Sequence, residues 1–320
     1  MYKNKKVIVV MPAYNAAQTL KKTYDEVMAQ EIVDLVIIVD DKSSDETIAI
    51  SKNLPRTIVH EHPMNKGYGG NQKSLYNKAL ELNLIDKKAT LDDLINADMV
   101  IVSIPVDATV KLLPTILDKI AETTLVVDAG STKEAICKAV EHHPKRRNFL
   151  ACHPIAGTEK SGPTAAISGL YVGKTNIICE VEKTTFKLQE KALQLFTDIG
   201  MRIRYMDAVS HDKHIAYVSH LSHISAFMLG KTVINKEKNE RDIFDMAGSG
   251  FASTVRLAKS SPAMWTPIFK QNKDNVIETL EEYINNLQHF KELMQQDNFS
   301  EIFNEMENTN YIKQILNGIK

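Results

Sequence analysis

The residues whose types and spacing could do chemistry in this chain are mostly histidines, the side chains that exchange a proton most readily near neutrality. The first group is His153-Pro154-Ile155-Ala156-Gly157-Thr158-Glu159. Pro154 holds the backbone of His153 extended, Gly157 lets the chain bend closely, and Thr158 and Glu159 add a hydroxyl and a carboxylate. His153 is either a base facing a ligand or a structural histidine. The second group runs from Ser210-His211-Asp212-Lys213-His214 into Tyr217-Val218-Ser219-His220-Leu221-Ser222-His223. On one helix His220 and His223 share a face, whereas His211 and His214 point roughly the other way. A pair facing a cleft therefore fits better than a metal centre, for which no third ligand is evident.

Two further segments carry polar groups where a ligand could use them. Asp128-Ala129-Gly130-Ser131-Thr132-Lys133 passes through a glycine into a helix start. Ser131 there either donates to a substrate or cofactor oxygen or, with Thr132 and Glu134 as the alternatives, caps the helix. Ala247-Gly248-Ser249-Gly250-Phe251 leads to Arg256 among Val255, Leu257 and Ala258. An arginine in apolar company needs an anion, either a structural carboxylate or one on a substrate.

The elements that must position these groups follow from the hydrophobic pattern. Short β-branched runs, Val7 to Met11, Leu35 to Val39, Thr57 to His60, Met99 to Ile104, Thr124 to Asp128 and Asn148 to Cys152, alternate with helical stretches. This is the mark of an α/β fold with a doubly wound, mostly parallel, Rossmann-like sheet. The runs are continuous, as in strands covered on both faces. Ligands bind such sheets outside the carboxyl ends of the strands. Pro12, Asp40, Asp41, Pro105, Gly130, Ser131 and His153 stand there.

Two more strand-like runs, Asn176 to Val181 and Arg202 to Met206, precede a last third that is mainly helix. There, from near Trp265, Val276, Leu280, Tyr283, Leu287, Phe290 and Met294 make one apolar stripe on a helix of roughly thirty residues. Such a stripe packs on a second subunit or within a bundle. The division expected is a Rossmann-like nucleotide-binding domain over 1–175 and a mainly helical dimerisation and substrate domain over 176–320.

Composition narrows the function classes. The chain has 320 residues, 43% hydrophobic and 25% charged, enough for two sizeable cores. A net charge of −1 is no nucleic-acid footprint. Cys137, Cys152 and Cys179 are scattered without a CxxC pair, which suits buried small side chains in a reducing cytoplasm. The apolar run after Lys3, Lys5 and Lys6 is too short for a signal segment, and no stretch is long enough to cross a bilayer.

In order and spacing, Ile104-Pro105-Val106-Asp107, Asp128 to Lys133, His153 to Glu159, Ser219 to His223, Arg256 and Met264-Trp265 resemble the prephenate/arogenate dehydrogenase family, from about Leu80 to the C-terminus. The resemblance implies an oxidoreductase of tyrosine biosynthesis, forming a homodimer through its C-terminal helices. Its reaction would be the NAD- or NADP-dependent oxidative decarboxylation of prephenate, or of arogenate: hydride and carbon dioxide leave and the ring becomes aromatic. It further implies that His153 contacts the substrate hydroxyl as base or acceptor and that Ser131 assists near the nicotinamide. Arg256 would hold a substrate carboxylate, with His223 and Thr158 helping to recognise the substrate, and Ser103, Pro105 and Ser131 would line the cofactor.

The first eighty residues break this pattern. A dinucleotide-binding domain opens with G-x-G-x-x-G, whose glycines let the backbone approach a pyrophosphate. Here the turn reads Met11-Pro12-Ala13-Tyr14-Asn15-Ala16-Ala17. With Val39-Asp40-Asp41-Lys42-Ser43-Ser44-Asp45 and Asn65 to Lys73, it resembles the start of a family 2 glycosyltransferase, in which an aspartate at Asp40 or Asp41 helps bind a nucleotide-sugar. Asp40 ends the second strand, where a Rossmann fold puts its ribose ligand. Weak or absent NAD binding is the expectation, and a nucleotide-sugar-binding fragment or a non-catalytic dimer are the rival readings.

Overall fold

The computed structural model describes residues 8–13, 16–17, 20–28, 35–40, 43–61, 77, 79–82, 84–87, 89–157, 166–237 and 243–317. The chain divides into two compact units, residues 1–88 with 160–167 and residues 89–159 with 168–320. In the first unit β1 (Ile8–Ala13), β2 (Leu35–Asp40) and β3 (Thr57–Glu61) form a parallel sheet in that order. Parallel neighbours need crossovers, and α1 (Leu20–Met28) and α2 (Thr47–Lys52) lie in those connections. Leu20 and Tyr24 of α1 pack on Val36 and Ile38, alternate residues of β2 that share one face.

The second unit holds a five-stranded sheet ordered β4 (Met99–Val102), β5 (Leu125–Asp128), β6 (Phe149–Ile155), β7 (Thr175–Cys179) and β8 (Arg202–Met206). All neighbours run parallel except β6 and β7. Helices α3 (Val106–Lys119), α4 (Glu134–Ala139) and α5 (Phe186–Asp198) complete the α/β part. Alternation along the strands divides the core. Val126, Phe149 and Ala151 face α3 and α4, while Leu125, Val127 and Leu150 face α5. Two covered faces explain why the strands read as unbroken apolar runs.

Each strand-like run of the sequence is a strand, with ends shifted by pairing. Residue 175 begins β7, and the sheet continues through Met206, so the all-helical part starts after the expected boundary. It comprises α6 (Ala208–Ile215), one π turn (Ala216–His220), α7 (Leu221–Glu237), α8 (Ser249–Thr254), a 3-10 turn (Arg256–Lys259), α9 (Pro262–Gln271), α10 (Lys273–Gln295), α11 (Phe299–Thr309) and α12 (Ile312–Asn317). The single helix expected from Trp265 onward is two helices. Buried Asn272 separates them, its amide spent on Asp212 and on the His220 ring rather than on solvent. No described helix is long and apolar enough to cross a membrane.

Candidate active site

The parallel register places Val102 opposite Asp128, so Ser103, Pro105 and the turn Ala129 to Ser131 leave the sheet at one carboxyl edge. His153 stands at the same edge but within β6, because antiparallel pairing with Ile177 extends that strand to Ile155. Pro105 begins α3, its carbonyl accepting from Thr109 N. Ser103 is exposed and Ser131 half-buried. Thr158 and Glu159 lie outside the described residues, and among the described residues nothing comes within 4 Å of a Cβ placed on Gly157. Gly130 is the glycine that packing demands. A Cβ there would come within 2.9 Å of both Asp128 Oδ2 and Ile136 Cδ1.

The turn after β5 is held from beneath by charges. Lys133 is fully buried, its ammonium bonded to Asp128 Oδ2 and, at 2.7 Å, to the carbonyl of Cys152. Asp128 in turn accepts from Gly130 N and Cys152 N, both at 2.9 Å. The pair thus ties β5 to the residue before His153. Neither Ser131 nor Thr132 caps α4. The cap arrives from far along the chain, as Asp212 accepts from Lys133 N at 2.7 Å and Glu134 N at 3.0 Å. Thr132 Oγ1 donates instead to Gln271.

Asp212 also accepts from His211 Nδ1 at 2.7 Å, and His211 Nε2 lies 2.9 Å from His153 Nδ1. The expectation that His211 faces away from His220 and His223 is overturned by the π turn. At about 100° per residue, nine residues of regular helix would set His211 and His220 on opposite sides; one inserted residue brings them within about 80°. His214 is exposed and takes no part. Burial, then the electrostatic influence of His211, Lys133 and His220, holds the pKa of His153 well below the usual histidine value, so its ring is neutral and able to accept a proton.

His220 is fully buried, and burial lowers its pKa to about 4 against an opposing pull from Asp212. Its Nδ1 accepts from Asn272 Nδ2, whose orientation is set by Asn275 Nδ2 donating to Asn272 Oδ1. The proton therefore sits on His220 Nε2, which, like the indole Nε1 of buried Trp265, has no hydrogen-bond partner among the described residues. His223 stacks on Trp265 with ring centroids 3.5 Å apart and donates from Nδ1 to the carbonyl of Ser219, leaving Nε2 as an acceptor. Its pKa is lowered by burial and by Arg256, an exposed residue on the 3-10 turn. The second unit thus brings together His153, Ser131, Ser103 and Pro105 at the sheet edge, and His223 with Arg256 on the helices. Asn272 carries no signal in the sequence; Lys133, His211, Asp212 and His220 belong to the segments singled out there, but their long-range contacts have no local signature.

Asp40 lies in the first unit, fully buried, with Ser43 N and Ser43 Oγ both bonded to its carboxylate. In the turn after β1, Ala16 N donates to Thr47 Oγ1 at 2.7 Å and Ala17 N to Asp45 Oδ2 at 3.0 Å. Those amides are the ones a dinucleotide pyrophosphate needs. Here they are occupied by a hydroxyl and by a carboxylate of like charge to the ligand. The turn does not fit a dinucleotide.

Comparison with known proteins gives three matched segments. Residues 66–205 match the model for the nucleotide-binding domain of prephenate dehydrogenase and residues 207–308 that for its dimerization domain, whereas residues 8–80 match glycosyl transferase family 2. The prephenate dehydrogenase of Bacillus subtilis is 29% identical over 229 residues, covering 70% of this chain and 62% of that protein. The cyclohexadienyl dehydrogenase of Zymomonas mobilis is 28% identical, covering 68% of this chain and 78% of that protein. A crystal structure of prephenate dehydrogenase from A. aeolicus, in complex with hydroxyphenyl propionate and NAD+, superposes with a TM-score of 0.69 at 25% identity, covering 99% of this chain and 100% of that one.

Proposed function

Over residues 66–308 the chain belongs to the prephenate dehydrogenase family, and from that premise we propose that it catalyses the oxidative decarboxylation of prephenate, or of arogenate, with low activity set by its cofactor-binding half. The observation that carries this reading is the placement of His153. A neutral imidazole at the carboxyl edge of the sheet has Nδ1 engaged by His211, which leaves Nε2 to take the proton of the substrate hydroxyl. Arg256 holds a substrate carboxylate. His223 Nε2 accepts a substrate hydrogen bond, and Thr158 and Ser131 contribute hydroxyls to the same substrate.

NAD or NADP would supply the hydride acceptor in this reaction, and Ser103, Pro105 and Ser131 of the second unit would line its nicotinamide end. The turn after β1 opposes its diphosphate, so the cofactor half limits turnover. A homodimer in the cytoplasm is the proposed assembly. Leu287, Phe290 and Met294 continue the apolar stripe of α10 and are exposed in the single chain, and the matching family model is named for dimerization.

The test is a purified chain given prephenate with NAD and with NADP, followed by nicotinamide absorbance. Slow, cofactor-limited reduction is expected; no reduction at any cofactor concentration overturns the reading. A second reading, nucleotide-sugar binding by the first unit, is favoured by the match over residues 8–80. Titration with a UDP-sugar separates the two.

A further inference from the structure

We propose that His211 and Asp212 are positioning residues that fix the tautomer of His153, placing its proton on Nδ1 and its lone pair on Nε2. This rests on the reading of His153 as the acceptor of the substrate proton. The geometry is a chain of donors whose direction is set at one end. Backbone N–H groups can only donate, so Lys133 N and Glu134 N fix Asp212 as an acceptor. His211 Nδ1, 2.7 Å from Asp212 Oδ1, therefore carries the proton. In the one-proton form that the proposal assigns to the His211 ring, with one N–H and one lone pair, Nε2 is the lone pair. The His153 nitrogen facing it at 2.9 Å must be protonated. What remains on His153 is an unprotonated Nε2.

The relay is built on buried groups of separate elements. His211 and Asp212 are 1% and 2% exposed on α6, with His153 on β6. The rings meet edge to face with centroids 5.1 Å apart. The charged and titratable groups that face His153 are His211 and His220 from the helix run and Lys133 from the start of α4, the last neutralised by Asp128. When Nε2 takes the hydroxyl proton, the positive charge gained by the ring is shared through Nδ1–H with His211 Nε2. The Nδ1 proton of His211 is in turn held by Asp212. No proton leaves the relay until product departs.

The experiment is ring-nitrogen NMR on the full chain near neutral pH, with His153 assigned by its loss in His153→Asn. The expected spectrum shows a protonated Nδ1 and a pyridine-type Nε2 for His153; the reverse pattern overturns the proposal. His211→Leu should lower kcat for prephenate by about 100-fold with KM changed less than about threefold, as loss of an oriented base predicts. His211→Gln, whose amide oxygen can still accept from His153 Nδ1, should stay within about tenfold of the parent. Parental kcat in His211→Leu counts against the relay. Should that variant fail to fold, the parent spectrum and His211→Gln decide. The tautomer is read without turnover, so a chain that shows the expected spectrum but no prephenate oxidation defeats the functional reading alone.

Discussion

Two sheet edges in this molecule have the same ancestry in geometry and opposite chemistry. In the first unit the polar groups beyond β1 and β2 are satisfied within one βαβ span: Ser43 closes on Asp40, Asp45 on Thr47 and Ala17. In the second unit the groups beyond β5 and β6 are tied to residues far along the chain, Lys133 N to Asp212 and Thr132 to Gln271. Local closure occupies these groups among the described residues. Long-range closure spends the supporting donors and acceptors on one another and, in the proposed function, leaves His153 Nε2 to the ligand. A site is preorganised by the distance of its supports.

The comparison breaks most readily at His153. His153→Asn should reduce prephenate oxidation by about 1000-fold with unchanged thermal stability, as removal of a general base does; comparable rates would show that the edge of the second sheet is not the reacting one. Lys133→Met leaves buried Asp128 without its cation and should cost about 3–5 kcal/mol of stability, seen as a lowered denaturant midpoint at constant slope. The same charge removal at exposed Lys138 should do almost nothing. Arg256→Ala should raise the KM for prephenate by about 30-fold and leave kcat nearly intact, the pattern of a group that binds ground and transition states alike.

Acid sharpens the contrast further. His153 and His220 are neutral in the folded state, with pKa values held below the ordinary 6.5. The unfolded chain therefore binds more protons as pH falls from 6.5, and stability present above that pH is lost on the way down toward about 4, where His220 titrates. The slope should reach about 1.4 kcal/mol per pH unit for each histidine, measurable by urea unfolding across that range, and should be halved in His220→Asn. The smallest effect belongs to the first unit. Asp45→Asn removes the carboxylate from the amides after β1 and should tighten NAD about fivefold, read by calorimetry; no change would mean that missing glycines alone exclude the diphosphate.

Much of this was legible in the residues. Continuous β-branched runs marked every strand, because a sheet covered on both faces leaves no polar alternation to confuse the period. The dehydrogenase segments stand out because His153, Ser131 and Arg256 are polar groups where apolar neighbours predominate. The supports were hidden by distance. Nothing near Lys133 in sequence signals that its amide meets Asp212, seventy-nine residues away, and nothing local announces that Asn272 ends a helix by turning its amide toward His220. The orientation of His211 was misread because a 3.6-residue period was carried unchanged through Ala216–His220.

That π turn has a consequence for how this helix is compared with others. One extra residue shifts the phase of everything after it by about 100°, so histidines before and after the turn answer to two different helical registers. A homologous helix without the insertion would carry the same residue types in the same rotational setting, at a spacing one residue shorter. A deletion of one residue between Ala216 and His220 should then straighten the π turn into regular helix and keep His220 and His223 on the side of the relay at His211. Regular helix drawn through the undeleted chain would instead turn His220 to the opposite side.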